Sequence, residues 1–472
     1  MKQYRPQFAL CGCVLVLYLA FLTKTYYWDG VLFSLDIESV HRQRMPFAGL
    51  FHPNHLLYNA LGYWIYAAIA FLWPGIRAIT VLQALNVVLS AGAACLIFTL
   101  ARRLTGARGV PLFCGLLFAA GATWWKFSID ADSYIVSVLL LLLSALFLLK
   151  PNRRIVAAGL FHAAAMLFHE LAIFSYVPVL AYVFVERSNA WRKRLAIAFA
   201  YCAGTGCIVA MAYGLAYQAA DHSTYPNLFS WVTSYSKDKG FTSSASDIVG
   251  HYLTSYIKLF AGGKLSLIRQ FFSLLVCAAL ALCVALLIRG IWLLKRPGGF
   301  SESKVDRHGL VFLWTWFIAY ALFLGLWDPG SAFHKLFLWP AIVLVTGIYT
   351  RKRVAAAIAL AGALAAWNFG AFIYPHSQVA ADPVLVLARK IDRELPKDAV
   401  VYYRTLSPDD WYIEYFAPGR EWKPLPLNTD NRSGPVCLET TALSDFHGAL
   451  DARQQWQLVN SQHHIRVACL AR

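Results

Sequence analysis

The chain has 472 residues, 59% of them hydrophobic and 14% charged, with a mean hydropathy of +0.52. Soluble domains average about 45–50% apolar and about 25% charged residues, so the composition excludes a water-soluble globular protein. A net charge of +17 would suggest nucleic acid as a partner in a soluble chain, but here Lys and Arg gather in short clusters between apolar runs, as orientation in a bilayer requires; no nucleic-acid partner is expected.

The first apolar run, Phe8 to Thr23, follows Lys2 and Arg5 as a signal peptide would. It lacks a small-residue cleavage site before Lys24 and Tyr26, which makes it a retained signal anchor. Further runs that could cross a bilayer lie at 56–73, 78–101, 111–125, 133–149, 155–167, 171–186, 195–215, 271–288, 309–326, 335–350 and 354–373. The gaps 102–110, 150–154, 187–194, 289–308 and 351–353 are dense in Lys and Arg and should be cytoplasmic, whereas 24–55, 74–77, 125–129, 168–170, 216–270 and 327–335 are sparse. If Lys2 and Arg5 are cytoplasmic too, an odd number of crossings precedes Arg102-Arg103, and one of the first three runs cannot span. The weakest is 56–73, bracketed by His52 to His55 and by Trp73-Pro74-Gly75 and rich in interface-preferring Tyr58, Tyr63, Trp64, Tyr66 and Trp73. It is expected to lie in the membrane plane or to re-enter.

The expected fold class is therefore an all-α polytopic membrane protein of about 11 spans plus an in-plane helix, over residues 1–374, with external loops 24–77 and 216–270. Residues 375–472 should form a small extracytoplasmic α/β domain, helical over Leu385 to Glu394, strand-like over Ala399 to Tyr403 and near His464 to Leu470, with an aromatic acidic stretch Pro408 to Phe416. Of the ten cysteines, only Cys437 and Cys469 stand in polar sequence, and a disulfide between them would suit an oxidising compartment. The others lie in apolar stretches without metal-ligand spacing.

Just past the first run stands Trp28-Asp29-Gly30, then Asp36, Glu38, Arg42, Arg44 and His52-Pro53-Asn54-His55. A carboxylate beside a helix C-terminus is disfavoured by the macrodipole, so Asp29 should have a compensating role; the ordinary alternative is a solvated interfacial acid. After the third span, Trp124-Trp125-Lys126 leads to Asp130-Ala131-Asp132 and returns two carboxylates and a cation to the same face. The two loops could share one site. Structural alternatives are an aromatic belt for the Trp pair, a snorkelling anchor for Lys126, and an N-cap for Asp130 or Asp132. His169-Glu170 marks another external turn, and Asp328 and His334 flank one more. His52, His55, His169 and Glu170 are ligand types for Zn²⁺ or Mn²⁺ without diagnostic spacing, so a divalent metal stays open and no other cofactor is implied. A glycine-rich phosphate loop, Cys-x-x-Cys and Gly-x-Ser-x-Gly are all missing, which removes support for nucleotide-driven pumping.

The aromatic-Asp motif after the first span, the His-Pro element opening a tyrosine-rich helix, the basic loop Arg102-Arg103-Leu-Thr-Gly-Ala-Arg108 and the external Asp after span three resemble the GT-C glycosyltransferases. The nearest likeness is to bacterial relatives of protein O-mannosyltransferases. The tail segment Arg393-Glu-Leu-Pro-Lys-Asp398-Ala-Val-Val-Tyr-Tyr, followed by Asp409-Asp410-Trp-Tyr-Ile-Glu-Tyr, also looks like that of one branch of them. The resemblance covers residues 8–186 and, loosely, the tail. It implies a sugar on a polyprenyl phosphate as donor, a first-loop Asp that takes a proton or orients the acceptor, and a His-Pro helix along the membrane surface. Asp29 holds the family position. Gly30, Val31 and Leu32 stand where a second acid would follow, and His52-Pro53-Asn54 replaces His-Pro-Pro.

The implied reaction needs a carboxylate to deprotonate the acceptor hydroxyl and positive charge to stabilise the departing phosphate. Asp29, Asp130 and Asp132 are the catalytic candidates, and Arg42, Arg44 and Lys126 suit the phosphate. Asp36, Glu38, His52, His55, His169 and Glu170 complete the substrate-binding candidates. Expected partners are the polyprenyl-phosphate sugar donor, membrane lipids and an acceptor glycan, lipid or protein, at the bacterial inner membrane with the N-terminus cytoplasmic. A transporter or flippase is the main rival, although Gly/Pro-broken segments in matching halves are not evident and in-span ionisable residues are few. A non-catalytic assembly protein is the third reading.

Overall fold

The computed structural model describes residues 5–149, 154–185, 190–219, 224–234, 245–296, 305–426, 434–444 and 446–471. The charged gaps 150–154 and 187–194 and the loop 216–270 lie partly outside these. Each apolar run is helical. Among the described residues, five stretches are long and apolar enough to cross a membrane: Ala78–Thr105, Trp191–Tyr217, Leu274–Lys295, Arg307–Trp327 and Trp339–His376. Val110–Ala120 and Ala122–Ser128, bent by 67°, form either one broken span or a re-entrant loop, and Pro6–Ala20, Tyr134–Leu148, Ile155–Phe168 and Glu170–Val185 are shorter apolar helices.

The stretch Trp339–His376 doubles back at the basic turn Arg351–Arg353. At one end, Trp339 Nε1 donates to Phe118 O over 3.0 Å and Asn368 Nδ2 to Ala120 O over 2.7 Å. At the other end, Gly109 faces Val354 and Gly347 faces Val110. A straight helix rises about 1.5 Å per residue and could not return Asn368 beside Trp339, so these are two antiparallel legs.

The bundle has two unlike ends. At one, Arg103 bonds Leu146 O, Asp306 N bonds Leu104 O, and Arg353 bonds Leu294 O, so the basic turns cluster there. The acidic and histidine-bearing turns gather at the other. Residues Tyr58–Leu72 stay at this second end: Leu57 N donates to Leu167 O, and Arg77 Nε reaches Glu38 Oε1 at 2.8 Å just past the helix. Both ends of that helix lie on one face of the bundle, as expected for an in-plane element.

One expectation fails. Residues Trp28–His41 form a helix rather than a loop, burying Val31, Phe33, Ile37 and Val40. Asp29 thus lies in the first turn of a helix, where the macrodipole favours a carboxylate. The supposed penalty beside a helix C-terminus does not arise.

The tail holds a five-stranded sheet in the order β2-β1-β3-β5-β4, with β1 (Val400–Tyr403), β2 (Glu421–Pro424), β3 (Val436–Glu439), β4 (Leu450–Val459) and β5 (His464–Leu470). β1 runs parallel to β2 and to the central β3, and β5 runs antiparallel to β3 and β4. Cys437 and Cys469 face each other in the β3–β5 register and form a disulfide. The helices Pro383–Glu394 and Pro408–Phe416 join the sheet to the bundle. Leu385, Ile391, Ile413 and Tyr415 share one buried cluster with Val31, Ile37, Tyr58 and Leu82. Each such side chain is worth about 1.5–3 kcal/mol when buried, so the tail is held by core-like packing.

Candidate active site

The two loops named from sequence do meet. A Cβ on Gly30 would stand 2.5 Å from Ala131 O, so only glycine lets the Trp28–His41 helix settle on the backbone between Asp130 and Asp132. The departure from the family pattern at Gly30 thereby acquires a reason. Two amides on the Ala78–Thr105 helix fix this junction: Gln83 Nε2 donates to Thr23 O and Ile129 O at 3.0 and 2.8 Å, and Asn86 Nδ2 to Asp130 O and Asp132 O at 2.8 and 2.7 Å.

Asp130 is buried, pairs with Lys126 Nζ, and accepts Tyr27 N–H at 2.9 Å. Asp132 is buried as well, and its Oδ1 accepts Ser133 N–H at 2.6 Å. Burial, then the nearby Asp29 and Asp130, hold the Asp132 carboxyl well above the usual carboxylate range. Asp29 is only half-buried. Burial, then Asp29 and Asp132, also push the Tyr27 hydroxyl up. Trp124 and Trp125 are not a membrane belt: both are buried, and Trp125 stacks on Tyr18 with centroids 5.2 Å apart. Lys126 is an ion-pair partner rather than a snorkelling anchor.

A cavity of about 760 Å³ opens beside this junction. Tyr27, Trp28, Lys126, Phe127, Phe333 and His376 line it on the bundle side, together with Lys258 and Lys264. The sequence reading missed Lys258, Lys264 and His376. Lys258 lies in the last turn of the helix Ala245–Phe260, and its backbone carbonyl accepts from Thr123 Oγ1 at 2.9 Å. The following turn is clamped by Asn368, which donates to Phe260 O and accepts from Gly262 N. Gly263, at φ +103°, passes so close to Ala371 O that a Cβ would stand at 2.4 Å. Lysines in a long polar loop carry no signal until such a clamp is seen.

The remaining candidates fall elsewhere. Glu38 is buried among four donors: Arg77 Nε (2.8 Å), Arg42 Nη2 (3.1 Å), Ala78 N (3.0 Å) and Tyr415 Oη (2.8 Å). Arg42 and Arg44 line a separate cleft of about 770 Å³ beneath the tail, with Glu414, Arg420 and Trp422. They do not share the cavity of Lys126. Asp36 lies 3.3 Å from His52 Nε2, and burial raises its carboxyl despite that partner. His52 and His55 have ring centroids 5.1 Å apart, and burial, then His52 and His169, lower His55. His169 packs on Tyr134 at 4.7 Å, and His334 Nδ1 lies 2.9 Å from Asp328 Oδ2. Glu170 borders an apolar groove of about 620 Å³ with Phe174, Tyr213, Phe323 and Trp327. Among the described residues, no three His, Cys, Asp or Glu side chains form a metal-holding group.

The bent apolar bundle, the two acidic loops joined at one end and the small sheet packed over them make up a fold that solved structures share. The particular likeness is to crystal structures of ArnT from Cupriavidus metallidurans, one bound to undecaprenyl phosphate and one in the apo state. Each superposes with a TM-score of 0.62 over 98% of this chain and 97% of that one, at 11% and 12% identity. No family model and no curated protein matches the sequence. At such identity the shared property is the fold.

Proposed function

We propose that this protein is a membrane glycosyltransferase that moves a sugar from a polyprenyl-phosphate donor to an acceptor hydroxyl on the extracytoplasmic face. The observation that carries the reading is the Gly30–Ala131 contact, which joins the helix bearing Asp29 to the Asp130–Asp132 turn, next to a cavity lined by Tyr27, Trp28, Lys126, Lys258 and Lys264. Burial and the neighbouring acids bias Asp132 toward its neutral form, and the half-buried Asp29 is assigned as the base, on the pattern of neighbouring carboxyls given different tasks by their surroundings. The acceptor hydroxyl loses its proton to Asp29 as its oxygen bonds to the anomeric carbon. The bond from that carbon to the phosphate oxygen breaks, its electron pair leaves with the phosphate, and configuration inverts. Lys126, Lys258 and Lys264 receive the negative charge.

Residues 1–374 form the catalytic membrane domain and 375–472 the outer domain. Eleven spans follow if every apolar segment except Tyr58–Leu72 crosses, with the basic turns cytoplasmic and the paired Cys437–Cys469 in an oxidising compartment. Among the comparisons nothing favours a transporter. The test is release or transfer of labelled sugar from undecaprenyl-phosphate hexoses and pentoses by purified protein in nanodiscs. Asp29→Asn should lower turnover by about 10²–10⁴-fold while expression and insertion stay normal. A wild-type rate in Asp29→Asn would reject Asp29 as the base, and no transfer from any donor would reject the enzyme reading.

A further inference from the structure

The cavity beside Asp29 has one wall that belongs to the outer domain. Asp409, in the first turn of the Pro408–Phe416 helix, and His463, in the turn between β4 and β5, both line it. His463 Nδ1 stands 3.0 Å from each oxygen of Asp409. An ionised carboxylate can only accept, so Nδ1 carries the hydrogen. The bond fixes the ring and leaves Nε2 as its second polar atom. The helix bearing Asp409 is itself tied down, because Tyr412 Oη donates to Tyr26 O one residue before Tyr27.

The two sides of the cavity differ in chemistry. Lysines occupy the bundle side, while the tail side offers a carboxylate and an oriented imidazole. Lys126, Asp382 and His463 line the one cavity of about 760 Å³, so the two sides can hold one small ligand between them. An anion seated on the lysines would direct whatever it carries toward Asp409 and His463. Two carboxylate oxygens accept from neighbouring hydroxyls, and an imidazole nitrogen serves a third, which is the pattern that separates one sugar epimer from another.

We propose that Asp409 and His463 form a sugar-reading pair, by which the outer domain selects the hydroxyl pattern of a neutral lipid-linked hexose or pentose. This rests on the reading of the same cavity as the donor site. Binding is measured in nanodiscs for undecaprenyl phosphate, bare or carrying glucose, galactose, mannose or ribose. The wild type should bind at least one sugar-bearing form about tenfold more tightly than the bare lipid, as one or two hydrogen bonds provide. Asp409→Asn and His463→Gln should each erase that increment and leave affinity for bare undecaprenyl phosphate unchanged. Asp409→Glu keeps a partner for His463 but shifts the oxygens, and should reorder the four sugars. An increment that survives Asp409→Asn and His463→Gln, an unchanged order in Asp409→Glu, or a wild type indifferent to all four sugars overturns the proposal. The measurement needs no turnover, so a protein that binds in this way yet transfers nothing would reject the catalytic reading alone.

Discussion

Two clefts flank the Trp28–His41 helix, and they use charge in opposite ways. At its C-terminal end the cations are largely consumed: Arg42 and Arg77 on Glu38, Arg420 on Asp392, and Lys423 on Glu421. Tyr415 joins the tail to the bundle there, its hydroxyl donating to Glu38 and its carbonyl accepting from Arg77. At the N-terminal end Lys126 is held by one buried carboxylate, and Lys258 and Lys264 face the cavity beside it. A row of cations in sequence therefore says little about phosphate binding until their partners are known.

The largest break in this contrast should come from Lys126→Ala. It leaves Asp130 buried without its ammonium, a loss of about 3–5 kcal/mol, and should raise the donor KM by about tenfold or more through one missing charge-assisted hydrogen bond. Thermal unfolding and donor titration check the two effects separately; an unaltered KM would take Lys126 out of the phosphate site. Glu38→Gln acts on the other cleft. It should lower the unfolding midpoint by stripping Arg77 of its counter-charge, while turnover per folded molecule stays close to wild type. If activity falls and stability does not, Glu38 belongs with substrate after all.

A smaller effect is expected from pH. Burial pushes both Asp410, which lies against Glu439, and Glu414, which lies against Arg44, up to about 7. The folded tail then holds protons that the unfolded chain has already released, so its stability should fall as pH rises from the ordinary carboxylate range through about 7 and level off above. Melting followed by a tail fluorophore at about pH 5 and about pH 8 tests the sign, and Asp410→Asn should flatten the slope. The smallest effect belongs to Arg44→Ala, which should leave donor KM unaltered because Arg44 lines the other cleft. A rise in KM would show that the two clefts act on one ligand.

Much of the fold was legible because apolar runs separated by basic turns are a one-dimensional signal. The odd-crossing argument singled out Tyr58–Leu72, and that helix begins and ends on one face of the bundle. The Trp28–His41 helix was hidden because its inward positions include Ser34 and Glu38, which break the apolar stripe although both are buried. The joining of the Asp29 and Asp130–Asp132 loops was foreseen from their common side, but its cause, the bare Cα of Gly30, needs coordinates. Lys258 and Lys264 were out of reach for a similar reason, since Asn368, which fixes their loop, comes about a hundred residues later in the chain.

The bond from Tyr412 Oη to Tyr26 O joins residues 386 positions apart, and that from Tyr415 to Glu38 joins residues 377 apart. Pairings of such separation form only after the intervening chain exists. The segment around Asp29 is made well before the tail, so Tyr26 and Glu38 wait for Tyr412 and Tyr415. A nascent chain therefore carries its acid and its lysines through most of its synthesis without a finished pocket, and the tail's arrival is the step that completes it.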